Sequence, residues 1–527
     1  MNSQLSQALK DLSKILSDSD ILLSDLELRP YQFSTLGEYY TTPIVLLPRS
    51  IDQLSRCLAV ANQYKVTVFP ISGGRNHGYN SSSPLSQNTV VLDLKHLNRI
   101  LEYSREFNYV VIEPGVTFAE LYQFLVNQGS EHILSGFGGS SNSSVMGNAL
   151  DRGTGKGLYG NRELASDVKE IVVADGTVID LEDRHGSDDR TSKLASSIVG
   201  MDLGKLLYQS NLAVVTKMIY RLEPLPEYLL VASLSINTDK KLEPLLNRLK
   251  VLNRKRIIEP VFSIATDVRM MMGSGFLKRQ AGHLDYTLKL WKENLRTSSR
   301  PVPGRWNSSF AIHCSCEAEV KLKTQLLRSH LEEICDSLSF CSLNKSEART
   351  LLEKSVHNKS EINGTHLKFL SNLGFADNLD QQALYWDSPN SFQENANPVN
   401  DGCGFIFFAP KLPFSFEHFE KSLQMLTECA TKYEMEIPVA FVVKTKELAY
   451  MVLPIAFHLA DEESKKKAHQ YYLELFQRFR KEGYFPYRMN SLSMPETFDL
   501  NSETRKLICK VKAAFDQNGI LSPNRYH

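Results

Sequence analysis

The pattern of apolar and polar positions changes character several times along the chain. "NSQLSQALKDLSKIL" spaces Leu5, Leu9, Leu12 and Leu16 as one helical face, with no basic stretch and apolar core of a signal peptide. "SIDQLSRCLAVANQYK" (50–65) repeats that spacing through Leu54, Cys57, Leu58 and Ala61. "VTVFPIS" and "TVVLDL" (89–94) then read as short buried strands. "YVVIEPGVTFAELYQFLVNQG" (109–129) predicts a strand, a Pro-Gly turn and a helix that starts on Thr117 and stops at Gly129. "DVKEIVVADGTVIDL" (167–181) predicts a hairpin around Ala-Asp-Gly. "NLAVVTKMIYRLEPLPEY" ends in a Pro-rich exit near residue 225, after which strands and helices come in blocks to about 470. "DEESKKKAHQYYLELFQRFRKEG" (461–483) starts acidic and ends basic before Gly483, the order that suits a helix dipole. These readings predict an α+β chain in four parts: a lead-in over 1–40, a domain over 41–225, a second over 226–470, and a C-terminal segment over 471–527 that returns to the first.

Composition narrows the function. Lys plus Arg and Asp plus Glu each number 60, so no net field attracts nucleic acid. No apolar run reaches the roughly 18 residues a membrane helix needs. The eight cysteines show no framework of spacings, and reduced thiols suit a cytoplasmic protein. His313, Cys314 and Cys316 lie close together, but "AIHCSC" alternates like a strand and no second ligand pair follows, so no metal is expected.

The candidate chemistry lies in glycine-rich stretches. "PISGGRNHGYN" (70–80) sets Gly73, Gly74 and Gly78 around Arg75, Asn76 and His77, directly after an apolar run. Such a loop can turn several backbone N–H groups toward one anion; a plain surface turn is the other reading. Neither the G-x-G-x-x-G dinucleotide pattern nor a P-loop is matched. "SSVMGNALDRGTGKGLYGN" (143–161) holds five more glycines, and Gln209, Ser210 and Asn211 precede a buried strand.

"PISGGRNHGYNSSSP", "VIEPGVTFAELY", "SVMGNALDRGTGKGLYG", "LLYQSNLAVVTKM", "GCGFIFFAP", "EGYFPYRMN" and "DQNGILSPNRY" follow one another as in flavoenzymes of the vanillyl-alcohol oxidase and p-cresol methylhydroxylase family, which the chain resembles from about residue 40 onward. The resemblance implies FAD held by a two-subdomain FAD-binding fold, with an α+β substrate cap over the ring. It implies a small aromatic substrate, a homodimer, and a cytochrome or other electron acceptor. Ser72, Gly73, Gly74, Arg75, Asn76, His77 and Gly78 would form the pyrophosphate loop. Ser144, Gly147, Asn148, Arg152, Gly153, Gly157 and Tyr159 would follow the cofactor, as would Gln209, Asn211 and Val215. Arg525 matches a C-terminal arginine near the flavin.

Tyr487 and Arg488 resemble a pair that grips a phenolic oxygen, and Tyr79 is similar to a second phenol-contacting tyrosine. The alternative is a hydroxy-acid or alcohol dehydrogenase of the wider superfamily, with Arg488 gripping a carboxylate; a third is a flavoprotein subunit that only passes electrons. Tyr385, in "QQALYWDSP", resembles the tyrosine bonded to the flavin 8α-methyl in p-cresol methylhydroxylase, with His77 a lesser alternative anchor. Phe405 occupies the place of the linking histidine of vanillyl-alcohol oxidase. The acid–base residues of the cresol-hydroxylating members are replaced, in the nearest register, by Ala440, Tyr450 and Leu453, leaving Tyr450 as a weak substitute base.

Overall fold

The computed structural model describes residues 3–526 except 137, 158, 183–190, 196–199, 276–283, 299–300, 377, 389, 391, 394–396 and 498–501. Three larger sheets organise these residues, beside a two-stranded one that pairs Glu223–Pro224 with His132–Ile133. The first runs in the order Ile21–Leu22, Val45–Leu46, Val90–Asp93 and Val68–Ile71, the last three parallel. Its side chains alternate by period two. Leu46, Val68, Val90 and Leu92 face the helices Ser3–Leu12 and Ile51–Gln63, while Val45, Phe69, Ile71 and Val91 pack with Leu28 on the other face. The strand Val68–Ile71 thus ends, fully covered, at the glycine loop.

The second sheet is antiparallel, in the order Ile100–Ser104, Tyr109–Ile112, Val214–Arg221, Ser166–Val172 and Val178–Asp180. The helix Phe118–Asn127 packs on it. Its Thr117 cap accepts from Glu120 N at 3.1 Å, the Glu120 carboxylate answers Thr117 N at 2.8 Å, and Gly129 ends it at φ +92°.

The third sheet, also antiparallel, follows the order Ser337–Asn344, Tyr228–Ile236, Trp306–Cys314, Phe262–Thr266, Ala440–Val443, Leu448–His458 and Cys403–Phe408. Four helices, Leu242–Arg254, Glu317–Leu331, Phe416–Lys432 and Glu462–Lys481, cover one face. Met451, Leu453, Ile455, Phe457, Ile406, Phe408 and Phe441 point into that helical core. Residues of opposite parity lie on the other face: Phe405 and Ala456 pack in a cluster with Met271, Trp291, Tyr385 and Trp386, Phe407 meets Tyr79 and Gly78, and Tyr450 meets Tyr487.

Two expectations are corrected. Leu453, aligned with a family acid, is fully buried on the helical side, so the positions on the sheet's other face are its neighbours Val452 and Pro454. The return of the chain does not start at 471: that position lies inside the helix Glu462–Lys481, whose Tyr471, Tyr472, Leu475, Phe476 and Phe479 are buried in the third sheet's core. The chain crosses back after Tyr484. Tyr487 N donates to Ala409 O at 3.1 Å, and Ile520–Ser522 then runs beside Val68, which donates to Ile520 O at 2.9 Å. Buried Lys512 and Asp516 hold this return: Lys512 Nζ donates to Asn211 O at 2.5 Å and Leu521 O at 3.0 Å, while the Asp516 carboxylate accepts from the backbone of Ile520 and Leu521.

Candidate active site

The glycine loop, the turn after Leu150, the segment 207–215 and the C-terminal return meet around a cleft with a cavity of about 190 Å³. Ser72, Gly74, Arg75, Asn76, Ser144, Gly147, Asn148, Gln209, Asn211, Val215, Arg488 and Arg525 all line it. Twelve residues expected to meet a ligand, spread over some 450 positions of sequence, therefore share one cavity. Gly73 and Gly74 adopt φ +100° and +65°, which L side chains rarely do. The two differ in their surroundings. A Cβ on Gly74 would meet Ser82 Cβ at 2.5 Å, so that glycine serves the loop's own packing. Nothing lies within 4 Å of a Cβ on Gly73.

Other expected residues do different work. Gly78 donates to Thr35 Oγ1 at 2.8 Å, accepts from Phe407 N at 3.0 Å and leaves room for the Phe407 ring; it docks the cap sheet on the loop. Gly153 makes space for Asn148. Arg152 pairs with Glu163 at 3.2 Å and donates to Gln209 Oε1 at 3.4 Å, outside the cleft wall. Gly157 and Tyr159 surround Glu223, whose carboxylate accepts from Tyr159 N at 2.9 Å. Burial pushes Glu223 up to about 7, against that hydrogen bond. His77 lies outside the wall too; burial and then Arg75 push its imidazole down to about 3. Tyr385 is buried in an apolar cluster with Phe405 and Trp386, its hydroxyl donating to Asp401 Oδ2 at 2.6 Å. Burial and that carboxylate hold its phenol far above the usual range.

Around Arg488, which lines the cleft, aromatic residues gather, although Tyr79, Tyr450 and Tyr487 are not themselves among its lining residues. The Arg488 guanidinium lies over the Tyr79 ring at 5.0 Å and the Tyr487 ring at 5.6 Å. Tyr450 stacks on Tyr487 with centroids 4.4 Å apart and planes 8° from parallel. Tyr79 stacks on Phe407 at 5.7 Å. Arg488 Nε donates to Asp151 O at 2.8 Å and Nη1 to Asn76 Oδ1 at 3.3 Å, while Nη2 is buried with no partner. Lys444 joins from the cap sheet. Its ammonium lies 5.8 Å from the Tyr450 ring and donates to Thr154 Oγ1 at 3.2 Å and Gly160 O at 3.1 Å. Burial, then Arg162 and Arg488, push Lys444 down to about 7. Burial pushes Tyr450 up to about 12, so its hydroxyl stays protonated at neutral pH.

Sequence reasoning missed Lys444, Asp151 and Tyr526. Lys444 shares strand parity with Ala440 and Val442, a signal available from the alternation. Asp151 carried none, because its partners lie on distant segments. Backbone strain marks the same region: of twelve described non-glycine residues with positive φ, Ser81, Arg152, Gln209, Ser522, Asn524 and Tyr526 lie in or beside the cleft walls.

The donor set fits FAD. An extended dinucleotide needs a long cleft, backbone free of side chains beside its diphosphate, and cations. The cleft has Gly74 of the glycine turn, Arg75, Arg488 and Arg525, and two buried polar atoms without partners, Arg488 Nη2 and Asn148 Oδ1. Among the described residues no group of three metal-ligating side chains occurs, and no helix is long and apolar enough to cross a membrane.

Comparison with known proteins agrees with this chemistry. Residues 42–182 match the family model described as an FAD binding domain. The chain is 26% identical to 1'-carboxy-chondrochloren decarboxylase of Chondromyces crocatus, over 100% of this chain and 98% of that protein. It is 24% identical to the 4-cresol dehydrogenase [hydroxylating] flavoprotein subunit of Pseudomonas putida, over 99% and 95%. The solved structure of p-cresol methylhydroxylase with substrate bound superposes with a TM-score of 0.86 at 22% identity, over 100% of this chain and 97% of that one. The FAD-domain match, the full-length relatives and the shared α+β fold agree: the chain is an FAD-dependent oxidoreductase with the fold of p-cresol methylhydroxylase.

Proposed function

We propose that the chain oxidises a phenolic compound whose oxygen is held by Arg488, Tyr487 and Tyr79. The carrying observation is Arg488 Nη2, buried and unpartnered while the other guanidinium nitrogens are fixed on Asp151 O and Asn76. A desolvated guanidinium held this way favours an anionic oxygen, and the Tyr79 and Tyr487 hydroxyls supply neutral donors beside it. Stabilising the phenolate raises electron density at the para carbon and eases departure of a hydride from its substituent. Bound FAD supplies the two-electron acceptor for that hydride. Ser72, Gly73, Gly74, Arg75 and Asn76 would hold the diphosphate, with Ser144, Gly147, Asn148, Gln209, Asn211, Val215 and Arg525 along the rest of the cofactor. Phe405, Phe407, Val442, Val452 and Ala456 give the cap an apolar wall that keeps water from the reacting carbon.

The test is an anaerobic screen that follows bleaching of the flavin band with para-alkylphenols and with hydroxy acids. Bleaching by phenols supports the reading; bleaching by hydroxy acids alone assigns Arg488 to a carboxylate and sinks it. A covalent tie through Tyr385, a homodimer, a cytoplasmic location and reoxidation by a cytochrome or oxygen complete the proposal. Eight free cysteines support the reducing compartment.

A second reading is favoured by the wall itself. Among the described residues of the cap sheet's site-facing positions from Ala440 to Ala456, none is a carboxylate or an imidazole that could take a proton from substrate or water. A phenol that carries a carboxylate beside the oxidised carbon needs no such base. Carbon dioxide leaves in place of the proton, and the electron pair of the broken C–C bond becomes the new C=C bond. The full-length relative named a decarboxylase supports this version. Carbon dioxide released in step with flavin bleaching distinguishes it.

A further inference from the structure

Asp151 stands where five segments of the chain meet. Its Oδ2 accepts from Asn76 Nδ2 at 2.9 Å, in the glycine loop. Its Oδ1 accepts from Arg525 Nη2 at 2.9 Å and from the Tyr526 hydroxyl at 3.2 Å, both on the C-terminal return. Its carbonyl accepts from Arg488 Nε at 2.8 Å and, more weakly, from Gln209 Nε2 at 3.4 Å. Gln209 donates in turn to Tyr487 O at 2.9 Å, and Asn76 accepts from Arg488 Nη1 at 3.3 Å. One residue therefore touches the side chains proposed to hold the diphosphate, the flavin end and the substrate oxygen. It is 8% exposed and lines the cleft. A lone buried carboxylate is costly, and this one is matched by two guanidiniums.

Charge makes this more than a packing hub. Arg488 and Arg525 both line the cleft, and Asp151 is the one carboxylate among its described lining residues. Burial opposes its ionisation, yet Arg525 and Arg488 hold its carboxyl below the usual range, so it is charged at neutral pH. With Arg75, three cations and one anion leave two net positive charges for whatever binds.

We infer that Asp151 is a positioning residue: it orients Arg488, Arg525 and Asn76 as one unit and cancels one of the cleft's three guanidinium charges, thereby setting how strongly the cleft favours anions at the flavin and at the substrate oxygen. A residue that only packed the segments together would weaken binding of every ligand when changed. One that also subtracts charge has the opposite signature, because its neutral variant binds anions more tightly.

The test uses the FAD-loaded full chain and sulfite, which adds to oxidised flavin as an anion and abolishes its visible band. Asp151→Asn keeps the side-chain shape and removes the charge. A unit charge at this range shifts an ionisation by about one to three units, so the sulfite dissociation constant should fall on the order of tenfold or more, and the flavin midpoint potential should rise. Asp151→Glu should return both toward the parent. The double variant Asp151→Asn/Arg525→Gln removes carboxylate and cation together and should bind sulfite as the parent does. If Asp151→Asn retains FAD and binds sulfite no tighter than the parent, the inference is overturned. If Asp151→Asn does not retain FAD, the double variant decides: restored FAD and parental sulfite affinity support the role, and continued loss overturns it. The substrate end of the inference rests on the proposed phenol grip, but sulfite binding needs no substrate. A chain that reduces no phenol at all would therefore sink the proposed function and still leave the role of Asp151 open to this measurement.

Discussion

Replacing Arg488 by lysine tests the proposed substrate grip most directly. The guanidinium has three anchored or available faces: Nε on Asp151 O at 2.8 Å, Nη1 on Asn76 Oδ1 at 3.3 Å, and Nη2 with no acceptor. An ammonium keeps the charge but cannot make the two anchoring bonds and also present a third donor in a fixed direction. A hydrogen bond to a charged group contributes about 1.5–3 kcal/mol. At about 1.4 kcal/mol per tenfold, flavin reduction should slow by roughly ten- to a hundredfold. Stability should change little, on the order of 1 kcal/mol, because Gln209 Nε2 at 3.4 Å still reaches Asp151 O. Tyr487→Phe removes a neutral donor, with an expected loss of about 0.5–1.5 kcal/mol, or roughly two- to tenfold. The double variant should lose less than the sum, since both groups address one oxygen. The assay is anaerobic stopped-flow reduction at saturating phenol, with FAD content equalised and a series of phenols of different acidity. In the parent the rate should depend weakly on the phenol's own pKa, because the site ionises it; in Arg488→Lys that dependence should steepen. Parental rates with every phenol, and an unchanged dependence on acidity, would refute the phenolate grip.

Three further outcomes follow from the same geometry. Lys444, pushed down to about 7 by burial and its arginine neighbours, binds fewer protons folded than unfolded between there and the ordinary lysine range, so stability rises with pH through that window and gains nothing from this group below it. Lys444→Met should flatten that rise, changing the parent–variant difference in urea unfolding free energy by about 2–3 kcal/mol between pH 6 and pH 9; an equal difference at both would remove the assignment. Acid denaturation should leave yellow colour on the parent chain and release it from Tyr385→Phe, whereas colour freed from the parent means that FAD is held without a bond. Lys512→Met leaves Asp516 buried and unpaired, and should cost about 3–5 kcal/mol in unfolding free energy and weaken FAD binding by loosening the strand that delivers Arg525; a small change with full FAD content would show that the return is held by its apolar residues alone.

The sequence by itself determined the local pieces. Period-two runs such as "TVVLDL", the Thr117–Glu120 capping box and the Gly129 stop depend on residues within a few positions, and such information is carried in the order of side chains. The glycine loop was also legible, since Gly73 and Gly74 adopt conformations that few other residues reach. The grouping of Tyr79, Arg488 and Arg525 in one region came from motif order, not from any local pattern. Only the tertiary structure decided what each glycine and polar residue does. Gly78 docks a cap strand, Gly157 and Tyr159 enclose Glu223, and Leu453 faces the helices instead of the site because one residue of register turns a strand position to the opposite face. The helix Glu462–Lys481 belongs to the cap because its apolar stripe meets the third sheet, a pairing no stretch of sequence contains. Asp151 shows the limit most clearly: its partners lie at 76, 488, 525 and 526, and a charge becomes informative only when the fold has removed water and brought those partners within hydrogen-bond distance.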